Sequence, residues 1–337
     1  MQDKELKAPH IRMRESARSA MLDVVIALLP LYFMAAYFYG MRAVALGAVS
    51  AASAVAADML CVLVSGRLPN LRDLSALVTG LLLPLMLPAS IPYYVVITAA
   101  VFAIAVVKHP FGGVGQNIFN PAAGGFAFIS VCWPSLVFSY PQPMFPLPIA
   151  GELTARLAES PAHALMLGAV PTIDTLDLVL GRFAGPMGVT NILVLGTCFI
   201  YLLFRKVISW QAPVAFLAAA AATAYFSPRI PASRWESVVF ELLSGTLVFA
   251  GVFLLGDPVT SPKRGLSRFL YGALAGGATM LFRYCGGFEQ AAAFALLLVN
   301  SFTLLIDHEA ERLFRIVRRG ILGFRAYRRS RRIVKKV

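Results

Sequence analysis

The sequence predicts an all-α, polytopic membrane protein with ten transmembrane helices in two inverted five-helix repeats. The first supporting observation is composition: the 337 residues are 58% hydrophobic and 14% charged, with a mean hydropathy of +0.74. Soluble domains are far more polar than this. The second observation is a series of ten apolar runs, and the third is a likeness between the third and the eighth of these runs.

Each apolar run approaches the length that a helix needs to cross a bilayer, which is roughly 20 residues. Some runs are a few residues shorter than this. The ten runs are 21–38, 43–65, 75–89, 92–108, 120–139, 190–205, 211–227, 236–256, 268–283 and 288–306.

The third run contains Gly80, Pro84 and Pro88, which predict a broken or kinked helix. The eighth run has the same order of features, namely a small-residue pair, an aliphatic stretch and an exit that contains proline. The eighth run follows the third by five runs, and each crossing of the membrane reverses the direction of the chain. Because five is odd, the second half is expected to be inverted relative to the first. Interrupted helices form the ion and ligand sites of many transporters, so these two spans are the predicted ion path.

Basic residues are distributed unevenly between the two sides of this predicted bundle. Both tails lie on one side, which carries 24 of the 30 Lys and Arg residues. Cytoplasmic loops carry such an excess, so both termini are expected in the cytoplasm. The net charge of +13 therefore indicates topology and contact with the lipid bilayer, and no nucleic-acid partner is expected.

The same reasoning divides the chain into five parts. They are a cytoplasmic N-tail, a first five-helix repeat, an extracytoplasmic loop, a second five-helix repeat and a basic cytoplasmic tail. Their bounds are 1–20, 21–139, 140–189, 190–306 and 307–337. Within the loop we predict a short helix over 153–159 that Pro161 ends, and Asp257 is expected to cap the turn that follows it in a later loop.

Few titratable residues fall inside the apolar runs. Asp23 sits at the edge of the first run, whereas Asp58 lies deeper in the second, and Asp58 is either an ion-handling carboxylate or an interfacial charge on a tilted helix. Asp307, His308 and Glu309 resemble a metal cluster, but a helix exit that faces solvent explains them better. The four cysteines are far apart and form no CxxC pair, so the sequence predicts neither a metal site nor an iron–sulfur site.

The stretch HPFGGVGQNIFNPAAGG, residues 109–125, separates the fourth and fifth runs and contains no carboxylate. Its glycines and prolines make it a poor helix, and irregular backbone at membrane depth survives only against protein, a cavity or a cofactor. The amides of Asn117 and Asn120 offer uncharged donors and acceptors. They suit a neutral heteroaromatic ring better than a metal. The alternative is a re-entrant turn whose amides cap neighbouring helix ends.

Six segments resemble one known family. The pieces FGG-x-GQN-x-FNPA and DPVTSP are the most specific of them. The segments are PHIR (9–12), MLDVVIALLP (21–30), DLSALVTGLLLPLMLP (73–88), FGGVGQNIFNPAAGG (111–125), TLDLVLG (175–181) and GDPVTSPKRG (256–265). Over nearly its whole length, the chain is similar to the D subunits of Rnf complexes, which are ion-translocating ferredoxin:NAD oxidoreductases. It is similar, more distantly, to the B subunits of sodium-pumping NADH:quinone oxidoreductases.

The resemblance implies a bacterial inner-membrane subunit that passes electrons through flavin while Na⁺ or H⁺ moves. It implies a noncovalent riboflavin near Asn117 and Asn120, with Gly113 and Gly115 beside them. The implied partners are the other Rnf-type subunits, namely iron–sulfur proteins and a protein that bears FMN. Two alternatives remain, a solute transporter of the same architecture without redox chemistry and a structural membrane anchor.

Family members also carry FMN on a threonine in an extracytoplasmic D-x-x-[ST]-G-A-T-P motif, and this motif maps onto residues 154–161. The acceptor position is Ser160, whose hydroxyl can form the same phosphoester. The rest of the motif is degraded, which puts covalent FMN here in doubt. Thr172 and Thr175 are alternative acceptors, and the loop arginines Arg156 and Arg182 are candidates to meet a flavin phosphate.

Overall fold

A computed structural model describes residues 17–66, 73–113, 115–150, 155–189, 191–286, 289–312 and 315. Over these residues the chain is helical, with a single isolated bridge between Pro141 and Leu157. The described part begins at Ala17 and ends just beyond the last helix, so most of both predicted tails lies outside it. The PHIR segment at 9–12 lies outside it as well.

The first half of the chain forms helices that match the first five apolar runs. A π-helical segment, Ala103–Lys108, continues the fourth helix without a break. The helices are α1 (Ala17–Tyr39), α2 (Met41–Val64), α3 (Ser75–Leu85), α4 (Tyr93–Phe102), α5 (Pro121–Cys132) and α6 (Pro134–Val137).

The connection between the halves contains two short helices, α7 (Pro161–Met166) and α8 (Thr175–Leu180). The prediction of a helix over 153–159 is wrong, because the described residues of that range, 155–159, are not helical. Pro161 begins a helix instead of ending one. Proline suits the first helical position, where its missing N–H has no intrahelical partner.

The second half forms helices that match the last five apolar runs. The eighth run is divided into two helices and a π-helical segment, Ala250–Leu254. The helices are α9 (Ile192–Phe204), α10 (Gln211–Phe226), α11 (Arg234–Leu243), α12 (Leu247–Phe249), α13 (Gly265–Cys285), α14 (Ala292–Asn300) and α15 (Thr303–Arg312).

Length and composition identify fewer spans than the ten runs. Among the described residues, three helices are long and apolar enough to cross a membrane on their own, namely Ala17–Tyr39, Met41–Val64 and Tyr93–Phe111. Two bent pairs, α11 with α12 and α14 with α15, raise the number to five if each pair is one span. Phe33, Phe204 and other large apolar side chains are exposed on the surface. The molecule is therefore an all-helical, multi-pass membrane protein.

Neither the third nor the eighth run is helical throughout: α3 ends at Leu85, short of the end of the third run, and the predicted break or kink is confirmed for the eighth run. Pro84 lies in the last turn of α3, and α11 meets α12 at an angle of 63°. Protein groups satisfy the carbonyls freed at both places: the backbone amide of Gly188 donates to Leu85, and Arg283 donates to the carbonyl of Ser244. Irregular backbone inside a membrane protein requires such partners.

Small residues bring the helices close together within each half. A Cβ on Gly80 would lie 2.7 Å from the Cα of Ala51, across the contact between α2 and α3. A Cβ on Gly272 would lie 2.2 Å from the carbonyl oxygen of Ala212, across the contact between α10 and α13. Close backbone approach through small residues is the usual packing of helices in membranes.

Candidate functional site

A cavity of about 250 Å³ opens at the end of the bundle where α1 begins; we call it the apolar cavity. Its volume is near the lower limit of ligand pockets, which are about 300–1,000 Å³. Polar side chains face it at a few points only. The apolar lining comprises Ala17, Ala20, Met21, Val24, Val78, Leu82, Pro121, Ala122, Leu202, Val207, Ile208, Val252, Phe253, Pro258 and Val259.

Asn117 and Gly115, from the glycine-rich stretch, line this cavity. The Asn117 amide nitrogen donates to the carbonyl of Phe119 at 3.1 Å, and no described residue donates to its Oδ1. Gly115 has a positive φ of 80°, which favours glycine, and a Cβ there would meet no atom within 4 Å. Gly113 also has a positive φ, but it is not part of the lining. One amide and an open glycine thus face apolar space.

Asn120 also lines the cavity, yet its side chain is occupied by the protein. Its Oδ1 accepts from the backbone amide of Ala123 and caps the start of α5, while its Nδ2 donates to the carbonyl of Leu254. The amide therefore joins the glycine-rich stretch to the π-helical segment of the eighth run. The alternative predicted from sequence, an amide that caps a helix end, holds for this residue.

Lys108 places a positive charge at the cavity wall, and its side chain is 3% exposed. Its Nζ lies 2.9 Å from Asp58, 2.6 Å from the hydroxyl of Ser75 and 3.7 Å from Asp73. The Nε2 of His109 lies 2.8 Å from the same oxygen of Asp58. Asp58 is thus paired with two groups, and the two predictions for it, an ion-handling carboxylate and an interfacial charge on a tilted helix, both remain predictions. Sequence reasoning counted Lys108 only as a topology signal.

The loop after the eighth run closes another side of the cavity. Asp257 lines it and accepts hydrogen bonds from the amide of Val259 and the hydroxyl of Thr260, so the predicted capping role is confirmed. Burial raises the pKa of this carboxyl, while the two hydrogen bonds oppose the rise. The specific DPVTSP segment therefore shapes the cavity through its backbone turn.

Ser160 lies far from the apolar cavity and is 4% exposed. Its Oγ accepts from the amide of His163, which caps α7, and donates to a carboxylate oxygen of Glu289. A phosphoester on this oxygen would remove the proton that Glu289 receives and would have to fit among buried groups. The surroundings of Ser160 therefore do not fit covalent FMN.

The two alternative FMN acceptors have hydroxyl groups that are more accessible than that of Ser160. Thr172 and Thr175 are exposed. Arg182 is exposed and lies 3.8 Å from Asp177, while Arg156 packs over the ring of Phe145. The structure does not bring either arginine to Ser160 through any contact among the described residues.

Sequence reasoning missed the buried ionic groups around Ser160. They are Tyr140, Ser160, Glu241, Arg283, Glu289 and Gln290, which we call the polar cluster. The contact between Ser160 and Glu289 joins residues 129 positions apart, so no local pattern predicts it, but the charges of Glu241, Arg283 and Glu289 inside apolar runs are a signal that could have marked these residues. Arg283 lies near the end of α13, whereas α13 begins eight residues after Asp257; its 21 residues span about 30 Å. The polar cluster and the apolar cavity therefore occupy opposite ends of the bundle.

The described residues contain no group of three or more His, Cys, Asp or Glu that could hold a metal ion. Within that part of the chain, the four cysteines are all free. At the end of the last helix Asp307 accepts from the backbone amide of Lys263, and Glu309 lies 3.8 Å from Arg312. The acidic residues there interact with nearby protein groups.

Comparison with known proteins identifies the family of the chain. Residues 5–315 match the model of the NQR2, RnfD, RnfE family. The chain is 32% identical over 302 residues to the D subunit of the Na⁺-translocating ferredoxin:NAD⁺ oxidoreductase complex of Acetobacterium woodii, covering 89% of this chain and 91% of that protein.

Two further relatives match the chain over a similar share of its length. The chain is 33% identical to the D subunit of the ion-translocating oxidoreductase complex of Stutzerimonas stutzeri, covering 88% of this chain and 91% of that protein. It is 31% identical to the D subunit of the proton-translocating ferredoxin:NAD⁺ oxidoreductase complex of Clostridium ljungdahlii, covering 89% and 92%. The family model matches nearly the whole length of the chain, and the helical membrane bundle is consistent with that match. The chain therefore belongs to the NQR2, RnfD, RnfE family.

Proposed function

We propose that this chain is the D-type membrane subunit of an ion-translocating ferredoxin:NAD⁺ oxidoreductase complex and that its apolar cavity holds a flavin of the riboflavin type without a covalent bond. The relatives named for this activity cover about nine-tenths of their own length in the match. The observation that carries the flavin part is the position of the glycine-rich stretch: Gly115 and Asn117 face an apolar cavity of about 250 Å³.

The lining of the cavity suits a neutral, planar ring better than a charged ligand. Val78, Leu82 and Val252 offer apolar surface to the ring faces, and Oδ1 of Asn117 is free to accept from a polar ring edge. A bound flavin supplies electron transfer, while the protein supplies binding, orientation and electrostatics. The charge of Lys108 is compensated by Asp58 and Asp73, so this side of the cavity carries no net positive charge and suits an uncharged ring.

The finer topology belongs to the same proposal. Ten spans in two inverted repeats place the third and eighth runs in corresponding positions of the two halves. Both termini then lie in the cytoplasm, on the inner-membrane face that carries most of the basic residues. The apolar cavity opens on that face, because α1 begins there. Iron–sulfur and FMN-bearing subunits are the proposed electron-transfer partners, and Na⁺ or H⁺ is the ion that moves.

Flavin content of the purified full-length chain, alone and in its complex, tests the proposal. After denaturation, the released pigment is identified by chromatography and absorbance, and about one riboflavin per chain is expected. Val78→Trp fills the apolar cavity and removes the pigment. Val101→Trp places the same ring on an exposed face of α4 and is the matched control. Wild-type protein without flavin, in both preparations, would overturn the flavin part.

A further inference from the structure

The polar cluster places two carboxylates around one small cavity that has no room for a water molecule. Glu241 from α11 and Glu289 from the turn before α14 both line it, together with Arg229 and Arg283. Glu241 is 1% exposed and Glu289 is 7% exposed. Buried carboxylates are normally paired with a cation or held in the neutral form. Whether each carboxyl group is charged or neutral therefore depends on which groups bind the two arginines.

Arg283 is engaged by Glu241 and the broken helix. Its Nη1 lies 2.8 Å from Oε2 of Glu241 and 2.8 Å from the carbonyl of the same residue, and its Nη2 lies 3.0 Å from the carbonyl of Ser244. These three bonds fix the guanidinium beside Glu241. Glu241 is thus the charged partner in a buried ion pair.

Arg229 is also held away from Glu289. Its Nη2 donates to the carbonyl of Met166 at 2.7 Å, and its guanidinium lies 5.5 Å from the ring centre of Tyr284. Among the described residues, Glu289 forms no salt bridge within 4 Å. Its hydrogen-bond partners are two hydroxyls, those of Ser160 and Tyr140.

The cluster also contains buried acceptors that lack donors. Oε1 of Glu241 and Oε1 of Gln290 have no hydrogen-bond partner in the described part of the chain, and neither does one donor of the cluster, Nε of Arg283, so unpaired acceptors outnumber unpaired donors by two to one. Leaving a buried acceptor unpaired costs about 1–3 kcal/mol. A proton on Glu289 would add one O–H donor at the cavity that Glu241 also lines. The neutral acid therefore suits the donor and acceptor balance better than a second carboxylate.

We propose that Glu289 is a reversible proton-binding site, at the end of the bundle opposite the apolar cavity. It binds a proton as a buried carboxylic acid among Ser160, Tyr140 and the Glu241–Arg283 pair, and it releases that proton to the solvent on its own side. The two arginines at the same cavity disfavour a metal cation there. The site goes beyond the proposed function and does not depend on a bound flavin.

The titration range follows from the surroundings of the carboxyl. Burial raises the pKa of Glu289 to about 7, although hydrogen bonds from Ser160 and Tyr140 and the charge of Arg283 act in the opposite direction. Near neutral pH, both protonation states are then populated. Replacement of the positive charge at Arg283 would raise this pKa further.

Infrared spectroscopy of the full-length chain in its complex tests the site. A protonated carboxylic acid has a carbonyl stretch above the amide bands, and here it should disappear as the pH rises through about 7. Glu289→Gln abolishes this titrating band. Glu309→Gln, at an exposed carboxyl near the end of α15, leaves it unchanged and is the control. Glu289→Asp keeps a titrating band at a shifted pH, which separates loss of the carboxyl from a failure to fold.

Two results would overturn the inference: the same band in Glu289→Gln, or no titrating band in the wild-type protein between about pH 5 and pH 9. Neither result depends on flavin content. The measurement therefore remains informative even if the purified complex contains no riboflavin.

Discussion

The apolar cavity and the polar cluster differ in what their polar atoms bond to. At the cavity, Asn117 uses its amide nitrogen but no described residue donates to its oxygen, and most of the surrounding surface is aliphatic. At the polar cluster, Arg283 and Ser160 are engaged by protein groups, and the unsatisfied atoms are two acceptors, Oε1 of Glu241 and Oε1 of Gln290, and one donor, Nε of Arg283. The first arrangement suits an external ligand, and the second suits internal structure with a place for a proton.

This difference gives the two regions separate experimental signatures. Substitutions in the polar cluster should change stability and its dependence on pH while flavin content stays constant. Substitutions at the cavity should change flavin content while stability stays nearly constant. The first test, and the largest expected effect, concerns the buried ion pair.

Arg283→Met should destabilise the protein by about 3–5 kcal/mol, because it leaves the Glu241 carboxylate buried and unpaired. Thermal unfolding in detergent measures the loss. Arg264→Met is the matched control, since Arg264 pairs with Glu311 at the surface, where both side chains are more than a third exposed and the pair contributes less than about 1 kcal/mol. The double variant Glu241→Leu/Arg283→Met should recover most of the stability. An equal effect at both arginines would contradict the assignment.

How much of this architecture could be predicted depends on the distance along the chain over which each signal acts. The helices follow from local apolar runs, and the Asp257 turn, the end of α3 and the break in the eighth run follow from local Gly, Pro and Asp chemistry. The contact between Glu241 and Arg283 joins residues 42 positions apart, and Ser160 meets Glu289 across 129 positions. No spacing rule relates such pairs, so the sequence could mark Glu241, Arg283 and Glu289 as charges inside apolar runs but could not predict that they meet.

The glycine-rich stretch shows the same limit on a smaller scale. Its sequence predicts uncharged amides beside a cavity, and the structure places Gly115, Asn117 and Asn120 there. The sequence does not distinguish the two asparagines, because their roles depend on the carbonyl of Leu254 and the amide of Ala123. Only one amide is left for a ligand.

Stability should also fall as pH rises through the titration of Glu289. The folded-state pKa of about 7 lies above the ordinary glutamate value of 4.5, so the folded state binds more protons between these limits. The stabilising contribution is complete below about pH 4.5 and is lost as pH rises through about 7, a change of about 3 kcal/mol at most. Thermal unfolding between about pH 5 and pH 8 measures it. Glu289→Gln should flatten the profile, and a wild-type profile equally flat would argue against it.

A smaller loss, about 1–2 kcal/mol, is expected for Ser160→Ala, which removes the cap of α7 and a donor to Glu289. The intact masses of the wild-type protein and of Ser160→Ala should each equal the mass calculated from the sequence, because neither carries FMN at position 160. Ser139→Ala, at a half-exposed hydroxyl that bonds only to the carbonyl of Ser135, is the control and should change stability little. An FMN mass on the peptide that contains Ser160, lost in Ser160→Ala, would restore the attachment prediction.

The smallest stability effect belongs to the cavity and is the sharpest test of the contrast. Asn117→Ala removes one hydrogen bond to the carbonyl of Phe119, so stability should fall by less than about 1 kcal/mol. Bound flavin should fall several-fold, because the ring edge loses its acceptor. Asn191→Ala is the matched control: it caps α9 and donates to Leu180, so it should lower stability by about 1–2 kcal/mol and leave flavin unchanged. If both variants lose stability and neither loses flavin, Asn117 is a structural amide like Asn120, and the cavity has no role as a ligand site through this residue.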